Sequence, residues 1–296
     1  MSASPTILVT GAHGQLGCAL QSVASEFDGL ALHFVGHQQL DITDEQAVAR
    51  AVAELKPHCV VNCAAYTDVN KAESEPQRVM AINAQGAEVL ARVCHAQGSR
   101  LLHVSTEYVF DGTAHLPYTE TDATNPLSAY GRSKLAGEQA ITAHCPEAII
   151  VRVSWLYSEF GKNFVKTMLQ VASNHAQVRV VADQIGSSTY APDLARAIMQ
   201  IAGLSDWKPG IYHYSNQGVC SWFDLAHEAI ALAGSRCEVL PITTAEYPTP
   251  AVRPAYSVLS KRKVEAAFGL QIPYWRDSLV RCVQILMNTT KNNIKP

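Results

Sequence analysis

The sequence has 296 residues, of which 48% are hydrophobic and 17% are charged, and its formal net charge is −3. This length suits one large α/β domain, or one domain with a smaller annex, and the composition is that of a globular protein with a large core. The slightly acidic balance argues against a nucleic-acid partner, and no apolar run reaches the roughly 18 residues of a membrane-spanning helix. Residues 1–5 lack the charged segment of a signal peptide, so we expect a cytoplasmic protein.

Cysteine and histidine spacing gives no sign of a metal site. The eight cysteines are scattered and form no CxxC pair, which is typical of buried thiols in a reducing compartment. His227 and Glu228 begin an HExxH pattern, but Ala231 stands where the second histidine would be. We therefore predict no bound metal.

The first predicted elements are a strand, a glycine-rich turn and a helix. A β-branched run, Thr6–Thr10, meets Gly11, Gly14 and Gly17, and an apolar pattern of helical period follows. Glycines here permit a tight bend, close approach of a pyrophosphate and close helix–strand packing, with the helix N-terminus facing the phosphates. The spacing is GxxGxxG rather than GxGxxG, but its place between strand and helix predicts a dinucleotide site.

The second predicted strand, 30–36, bears on the choice of cofactor. A preference for NAD favours an acidic residue at the end of this strand, where it binds the ribose 2′-hydroxyl. Residues 36–39 contain no acid, and the first one is Asp41. A 2′-phosphate therefore fits, although no arginine stands nearby to bind it, and we expect NADPH with NADH tolerated. Asp44 is the predicted N-cap of the following helix.

Two small residues, Ala64 and Ala65, end the third predicted strand, 59–65. They let a flat ligand lie close to the backbone, and Tyr66 and Thr67 follow at the carboxyl end, where open α/β sheets bind ligands. A tightly packed strand–loop junction explains the alanines nearly as well.

The next predicted helix, 78–96, carries Asn83 among apolar neighbours. Its amide either bonds backbone groups at a local distortion of the helix or faces water.

Three polar side chains between Thr106 and Lys134 form a candidate catalytic set. Thr106 follows the fourth strand, 101–104, so its hydroxyl faces the same crevice. Tyr130 and Lys134 stand at i and i+4 of a helix, which puts a phenol and an ammonium on one face. A cation about 4 Å away contributes roughly 4 kcal/mol at an effective dielectric of 20, enough to lower the phenol pKa from about 10. We interpret the pair as a general acid for carbonyl reduction. The alternatives are an exposed tyrosine with a solvated lysine and a threonine selected for β propensity.

Arg253 lies in a proline-rich segment, 247–254, which must be extended because its prolines forbid a helix. It is either a ligand for phosphates or a surface arginine. The other predicted elements are strands at 148–153, 178–181, 210–214 and 238–242, helices at 164–172, 192–202, 221–233, 260–268 and 275–287, and a polar tail that frays at 288–296.

The order of these elements predicts the fold class. Regular alternation of strand and helix in the early half predicts an α/β protein with a Rossmann-type, doubly wound parallel sheet. The later half is less regular and should form a smaller C-terminal substrate-binding portion. We expect residues 1–151 to be the dinucleotide-binding domain and residues 152–296 to hold mainly the substrate, with some later elements returning to the sheet.

The glycine turn, the strand-end threonine and the YxxxK pair, in this order, resemble the extended short-chain dehydrogenase/reductases. Further runs resemble, within that group, the dTDP-4-dehydrorhamnose reductases over about the whole chain. These runs are 11–17, 62–67, 71–76, 105–110, 130–134, 152–155, 183–186 and 247–254.

The resemblance implies NADPH- or NADH-dependent reduction of the C4 keto group of a dTDP-4-keto-6-deoxysugar, dTDP-4-dehydro-L-rhamnose, and it leaves room for a homodimer. The resemblance implies that Tyr130 donates the proton and that Thr106 orients the carbonyl. It implies that Lys134 binds the nicotinamide ribose and lowers the pKa of the phenol. The cofactor residues it implies are Gly11, Gly14, Gln15, Leu16, Gly17, Asp41, Ile42, Ala64, Ala65, Tyr66 and Thr67, together with Tyr130 and Lys134. The substrate residues it implies are Thr106, Glu107, Trp155 and Arg253.

The sequence departs from the family pattern at three places. Glu107 replaces the usual aspartate, which keeps the charge but lengthens the arm. Ser187 and Ser188 replace a small residue and a proline. Cys18 and Ala19 lack the acid with which some members bind a magnesium ion between subunits, so we predict no such ion.

Two other functions remain open at this point. The substrate could be another dTDP-4-keto-6-deoxysugar, because pocket residues rather than motifs select it. The chain could also be a non-catalytic regulatory subunit, like the β-subunit of methionine adenosyltransferase, although the intact Thr106, Tyr130 and Lys134 argue against that function.

Overall fold

The structure, a computed structural model, describes residues 4–292, and the side chains of 290–292 are not considered. Residues 1–3, part of the stretch on which the absence of a signal peptide was predicted, lie outside the described residues. So do residues 293–296 of the predicted polar tail. The rest of that tail is helical, because the last helix runs to Asn292.

Twelve strands are found in the described part of the chain. They are β1 (Thr6–Thr10), β2 (Ala31–Val35), β3 (Cys59–Asn62), β4 (Arg100–Thr106), β5 (Ile149–Val153), β6 (Leu156–Tyr157), β7 (Gln177–Val181), β8 (Ile185–Gly186), β9 (Thr189–Tyr190), β10 (Gly210–Tyr214), β11 (Cys220–Ser221) and β12 (Glu238–Ile242).

Eleven α-helices accompany them over residues 4–292. They are α1 (Gln15–Ser22), α2 (Glu45–Leu55), α3 (Val69–Ala72), α4 (Pro76–Met80), α5 (Gly86–Gln97), α6 (Ala129–His144), α7 (Phe164–Ala172), α8 (Ala191–Gly203), α9 (Trp222–Leu232), α10 (Arg262–Phe268) and α11 (Trp275–Asn292). A π-helical turn, Ala81–Gln85, joins α4 to α5, and short 3-10 turns lie at Ala24–Glu26, Glu107–Val109 and Thr244–Glu246.

The predicted fold class is confirmed. Six parallel strands form one sheet in the order β10-β5-β4-β3-β1-β2. The strand order reverses between β1 and β3, and ligands of open α/β sheets bind at the carboxyl ends of the strands at such a reversal.

Alternate side chains of each strand build two apolar layers, one on each face of the sheet. In β1, Ile7 and Val9 pack with residues of α1, α8 and α10, whereas Leu8 packs with residues of α2, α5 and α6. The same alternation of period two recurs in β3, β4 and β5. The sheet is therefore covered by helices on both faces, as a doubly wound fold requires.

A third apolar cluster lies outside the main sheet. It contains Tyr157, Leu225 of α9 and Leu279 of α11. Three two-stranded sheets belong to the same half of the chain, pairing β6 with β9, β7 with β12 and β8 with β11. By contrast, β10, from the later half, pairs with β5 at one edge of the main sheet.

The predicted helix cap at Asp44 is confirmed, and a second cap begins α9. Asp44 accepts a hydrogen bond from the Ala47 backbone N–H over 3.0 Å at the start of α2. Ser221 and Asp224 form a reciprocal capping box at the start of α9. Among residues 4–292, no helix is long and apolar enough to cross a bilayer.

Candidate active site

A cavity of about 720 Å³ lies at the carboxyl ends of β1, β2 and β3. The glycine turn forms one wall, and the segments that follow β2 and β3 form the others. The predicted cofactor residues that line it are Gly11, Gly14, Asp41, Ile42, Ala64 and Ala65. A mononucleotide-sized ligand has room here, at the reversal of strand order where the fold places such ligands.

The glycine turn needs its glycines because backbone atoms crowd it. Gly11 has φ +71°, and a Cβ there would lie 2.6 Å from the Ala64 nitrogen. A Cβ on Gly17 would lie 2.3 Å from the Gly11 oxygen. Gly14 is the N-cap of α1, so the first N–H groups of that helix open toward the turn. This arrangement suits a pyrophosphate at the helix N-terminus.

Three other predicted cofactor residues, Gln15, Leu16 and Gly17, are not among the residues that line the cavity. Leu16 is buried in the apolar layer beneath the sheet. The side chain of Gln15 donates to the Leu156 carbonyl over 3.1 Å and accepts from Asn163 over 2.8 Å. Gly17 packs closely on Gly11. The contact of these three residues with a cofactor stays a prediction. We expect that contact to be made by backbone N–H groups rather than by side chains.

Several residues that line the cavity were not predicted from the sequence. His13, His37 and Gln38 do so, and so does Arg78 from α4. No arginine stands near the end of the second strand in the sequence, but the fold brings Arg78 from a distant part of the chain into the cavity that this end also lines. No local pattern in the sequence signals this contact.

Asn83 bonds backbone groups at a helix distortion, the first of its two predicted alternatives. The helix predicted at 78–96 is interrupted by the π-helical turn, and Asn83 lies in it. Its Oδ1 accepts from the Tyr66 N–H over 2.8 Å, and its Nδ2 donates to the Tyr66 carbonyl over 3.0 Å and to Ser133 Oγ over 3.0 Å. Asn83 therefore fixes Tyr66, while the neighbouring Thr67 is exposed.

The structure brings the three predicted catalytic residues together. Thr106 ends β4, and Tyr130 and Lys134 stand on α6, whose N-cap Ser128 accepts from the Gly131 N–H over 3.0 Å. The exposed fractions are 4% for Thr106, 9% for Tyr130 and 2% for Lys134. An exposed tyrosine with a solvated lysine is thereby excluded.

The Tyr130 phenol is held in its protonated form. Burial raises the pKa of Tyr130 well above its usual value, the Glu107 carboxylate raises it further, and a hydrogen bond with Thr106 lowers it. The ring meets Tyr108 edge to face, with centroids 5.5 Å apart. The predicted lowering of the Tyr130 pKa is therefore wrong for the chain by itself, because desolvation of the phenolate outweighs nearby favourable groups.

Lys134 points toward β4. Its Nζ donates to the Val104 carbonyl over 2.8 Å and lies 3.1 Å from His103 Nε2. Burial lowers the pKa of Lys134 to about 8, against the opposing effects of Glu138 and Cys63. Lys134 therefore holds less positive charge than the exposed lysine assumed from the sequence, and its place near a ribose stays a prediction.

Glu107 is a buried acid beside Thr106 and Tyr130. Burial raises the pKa of its carboxyl to about 7, while hydrogen bonds from Thr106 and the backbone, together with the Arg253 charge, lower it. Arg253 also donates from Nη1 to the Tyr108 hydroxyl over 3.1 Å. Glu107 thus places a group that titrates near neutral pH inside the site.

Trp155 adjoins the site, because its backbone hydrogen-bonds to Glu107. Its φ is +46°, which is rare for a bulky residue, and its ring stacks on Trp222 with centroids 3.7 Å apart. A Cβ on Gly186 would lie 2.7 Å from that ring. The strained backbone and the stack hold a flat aromatic surface in one place, and Trp222 was not predicted to contribute to it.

No group of three or more metal-ligating side chains was found within residues 4–292. All eight cysteines are free thiols.

Comparison with known proteins identifies the family of this chain. A family model described as the RmlD substrate binding domain matches residues 5–288. The chain is 40% identical to the dTDP-4-dehydrorhamnose reductase of Sinorhizobium fredii over 291 residues, which cover 95% of this chain and 97% of that protein.

Solved structures of relatives agree in fold over nearly the whole chain. A dTDP-4-dehydrorhamnose reductase of Clostridium acetobutylicum superposes with a TM-score of 0.90 at 41% identity, covering 95% of this chain and 99% of the other. A Bacillus anthracis reductase of the same name, in complex with NADP, also has a TM-score of 0.90, at 39% identity and the same coverage. The chain belongs to the dTDP-4-dehydrorhamnose reductase family of oxidoreductases.

Proposed function

We propose that this protein reduces the C4 keto group of dTDP-4-dehydro-L-rhamnose to give dTDP-L-rhamnose, with NADPH or NADH as the reductant. The observation that carries the proposal is the close grouping of Thr106, Glu107 and Tyr130 in one buried site, at the sheet edge that also bears the glycine-turn cavity. When bound, the reduced nicotinamide supplies the hydride that goes to C4.

The cavity supports binding of such a cofactor. The small residues Gly11, Ala64 and Ala65 leave room beside the backbone, and the N-terminus of α1 opens toward the turn. Asp41 and Ile42, at the other side of the cavity, are the proposed adenosine contacts. The NADP complex of the Bacillus anthracis relative is consistent with this use.

The side chains of the site provide the proton. As hydride reaches C4, negative charge develops on the carbonyl oxygen, and Tyr130 donates its phenolic proton to that oxygen. In the chain by itself the raised pKa of Tyr130 keeps the phenol protonated, and Tyr130 becomes a better donor as that pKa falls toward the working pH. Thr106 orients the same oxygen by hydrogen bonding.

The sugar nucleotide is proposed to lie between the Trp155 surface and the Arg253 loop. The Trp155 ring supplies an apolar face for a sugar or base, and Arg253 supplies a charge for the diphosphate. Residues 1–151 would then bind mainly the cofactor and residues 152–296 mainly the sugar nucleotide, with β10 returning to the sheet.

The test is NADPH oxidation, followed by absorbance, with enzymatically generated dTDP-4-dehydro-L-rhamnose and with other dTDP-4-keto-6-deoxysugars. We expect the highest kcat/KM for dTDP-4-dehydro-L-rhamnose. Faster turnover of a different 4-keto sugar would reassign the substrate, and absence of turnover with all of them would favour a non-catalytic subunit.

A further inference from the structure

A row of buried polar side chains crosses the parallel sheet beside Lys134. Thr10 of β1 is the register partner of Asn62 of β3, and Asn62 is the register partner of His103 of β4. Paired side chains of neighbouring strands lie on the same face, so the register itself builds the row. Thr10 donates to Asn62 Oδ1 over 2.6 Å, and Asn62 Nδ2 lies 2.9 Å from His103 Nδ1.

The orientation of the Asn62 amide is determined by the backbone. The Ala64 N–H lies 3.1 Å from the same Asn62 atom that accepts from Thr10. A backbone N–H can only donate, so this atom is the amide oxygen, and the amide nitrogen faces His103. Asn62 therefore donates to His103 Nδ1.

This donation selects one tautomer of His103. Burial keeps the pKa of His103 well below its usual value, so the ring is neutral and carries one hydrogen. Because Nδ1 accepts from Asn62, that hydrogen is on Nε2. His103 Nε2–H lies 3.1 Å from Lys134 Nζ.

An ammonium group does not suit this position. It has three hydrogens and no lone pair, so it would oppose the His103 N–H with another donor. An uncharged amine has a lone pair that accepts from His103, and it still donates to the Val104 carbonyl 2.8 Å away. Only the uncharged form satisfies both contacts.

We propose that His103 is a positioning residue for Lys134, and that in the cofactor-free chain it favours the uncharged amine of Lys134 by donating its Nε2 hydrogen. The inference rests on the proposed function, whose proton donor Tyr130 stands one turn before Lys134 on α6.

Two other ionisable groups near Lys134 favour its charged form, but the effect of each is reduced. Glu138, one turn further along α6, favours the charged lysine, yet it is paired with Arg152 at 2.7–3.1 Å. Cys63, after β3, would favour it as a thiolate, but burial raises the pKa of that thiol to about 12. Glu107, in the 3-10 turn packed against α6, acts on Tyr130 instead.

The first experiment uses the wild-type, cofactor-free chain. Long-range ¹H–¹⁵N spectra at a pH above the Lys134 midpoint identify the His103 tautomer. A pH titration then follows the side-chain carbon and nitrogen chemical shifts of Lys134, which are assigned by comparison with Lys134→Met. We expect the Nε2–H tautomer and a Lys134 midpoint at least about one unit below the usual 10.4. The Nδ1–H tautomer, or a midpoint near the usual value, would overturn the proposal.

The second experiment compares two replacements of His103. Gln presents an oxygen to Asn62 and an N–H to Lys134, so His103→Gln should keep the low midpoint, whereas His103→Met cannot donate and should raise it by about one unit, a tenfold change. His213→Met is the matched control, because His213 of β10 is equally buried and lies in another part of the sheet.

An unchanged Lys134 midpoint in His103→Met, or the same rise in His213→Met, would contradict the proposal. If the His103 variants do not fold, the wild-type tautomer and titration still decide it. None of these measurements involves turnover, so their failure is distinguishable from failure of the proposed reductase activity.

Discussion

Thr106 donates its hydroxyl hydrogen to Glu107 Oε2 over 2.8 Å, and both side chains are buried. A hydroxyl has a single hydrogen, so Thr106 cannot donate it to a substrate carbonyl while an ionised Glu107 holds it. A protonated Glu107 can instead donate a hydrogen bond to the Thr106 oxygen, which leaves the Thr106 hydroxyl hydrogen available for the substrate. The protonation state of Glu107 thereby controls what Thr106 offers to the site.

The first prediction concerns the pH dependence of activity. Burial raises the pKa of Glu107 to about 7, so kcat/KM should fall as pH rises through that value. Glu107→Gln donates to Thr106 at every pH, and its kcat/KM should stay level between about pH 6 and 8. Steady-state pH profiles of both proteins test this, and an equal decline in the variant would remove Glu107 from the explanation.

The second prediction concerns the pH dependence of stability. The Glu107 pKa of about 7 in the folded chain exceeds the roughly 4.3 of an unfolded glutamate, so the folded state binds more protons. Its contribution is therefore fully present below the unfolded pKa and is lost as pH rises through about 7. Urea unfolding should show wild type losing about 1–3 kcal/mol more than Glu107→Gln between about pH 5 and 8.

The third prediction removes the proposed proton donor. Tyr130→Phe should lower kcat by a factor of about 100 or more while leaving the NADPH dissociation constant within about threefold, because only the hydroxyl is lost. Tyr212→Phe is the control, since the Tyr212 hydroxyl donates to the Lys208 carbonyl away from the site. Full activity in Tyr130→Phe would assign proton donation to another group.

The fourth prediction tests the crowding of the glycine turn. Gly17→Ala should lower the free energy of unfolding by about 1–3 kcal/mol and weaken NADPH binding, since the new methyl group would meet the Gly11 carbonyl. Gly29→Ala is the matched control, because no atom lies within 4 Å of a Cβ at that position. Chemical denaturation and calorimetric titration measure the two effects, and similar results for both variants would count against the packing argument.

The fifth prediction concerns the choice of cofactor. We expect the kcat/KM values for NADPH and NADH to differ by less than about a hundredfold, a difference of under about 3 kcal/mol, because Asp41 and Arg78 line the same cavity with opposite charges. Arg78→Ala should reduce the value for NADPH more than that for NADH, since only NADPH carries a 2′-phosphate. Arg92→Ala, which removes a surface ion pair with Glu45, provides the control. A greater loss with NADH would exclude this role for Arg78.

Much of the architecture was predictable from short-range patterns. The strand, glycine turn and helix from Thr6 to Ser22 follow from residue type and spacing alone, as do the cap at Asp44 and the shared helix face of Tyr130 and Lys134. These features depend on groups within a few residues of one another, where backbone geometry leaves few alternatives.

The ionisation of the site was decided only by tertiary structure. The sequence shows that Tyr130 and Lys134 share a helix face, but burial by distant segments reverses the expected direction of the Tyr130 pKa. The partnership of Lys134 with His103 depends on how α6 packs on the sheet, and Arg78 enters the cavity from another helix. Desolvation and hydrogen-bond pairing depend on what surrounds a group in space, which the order of residues along the chain does not reveal.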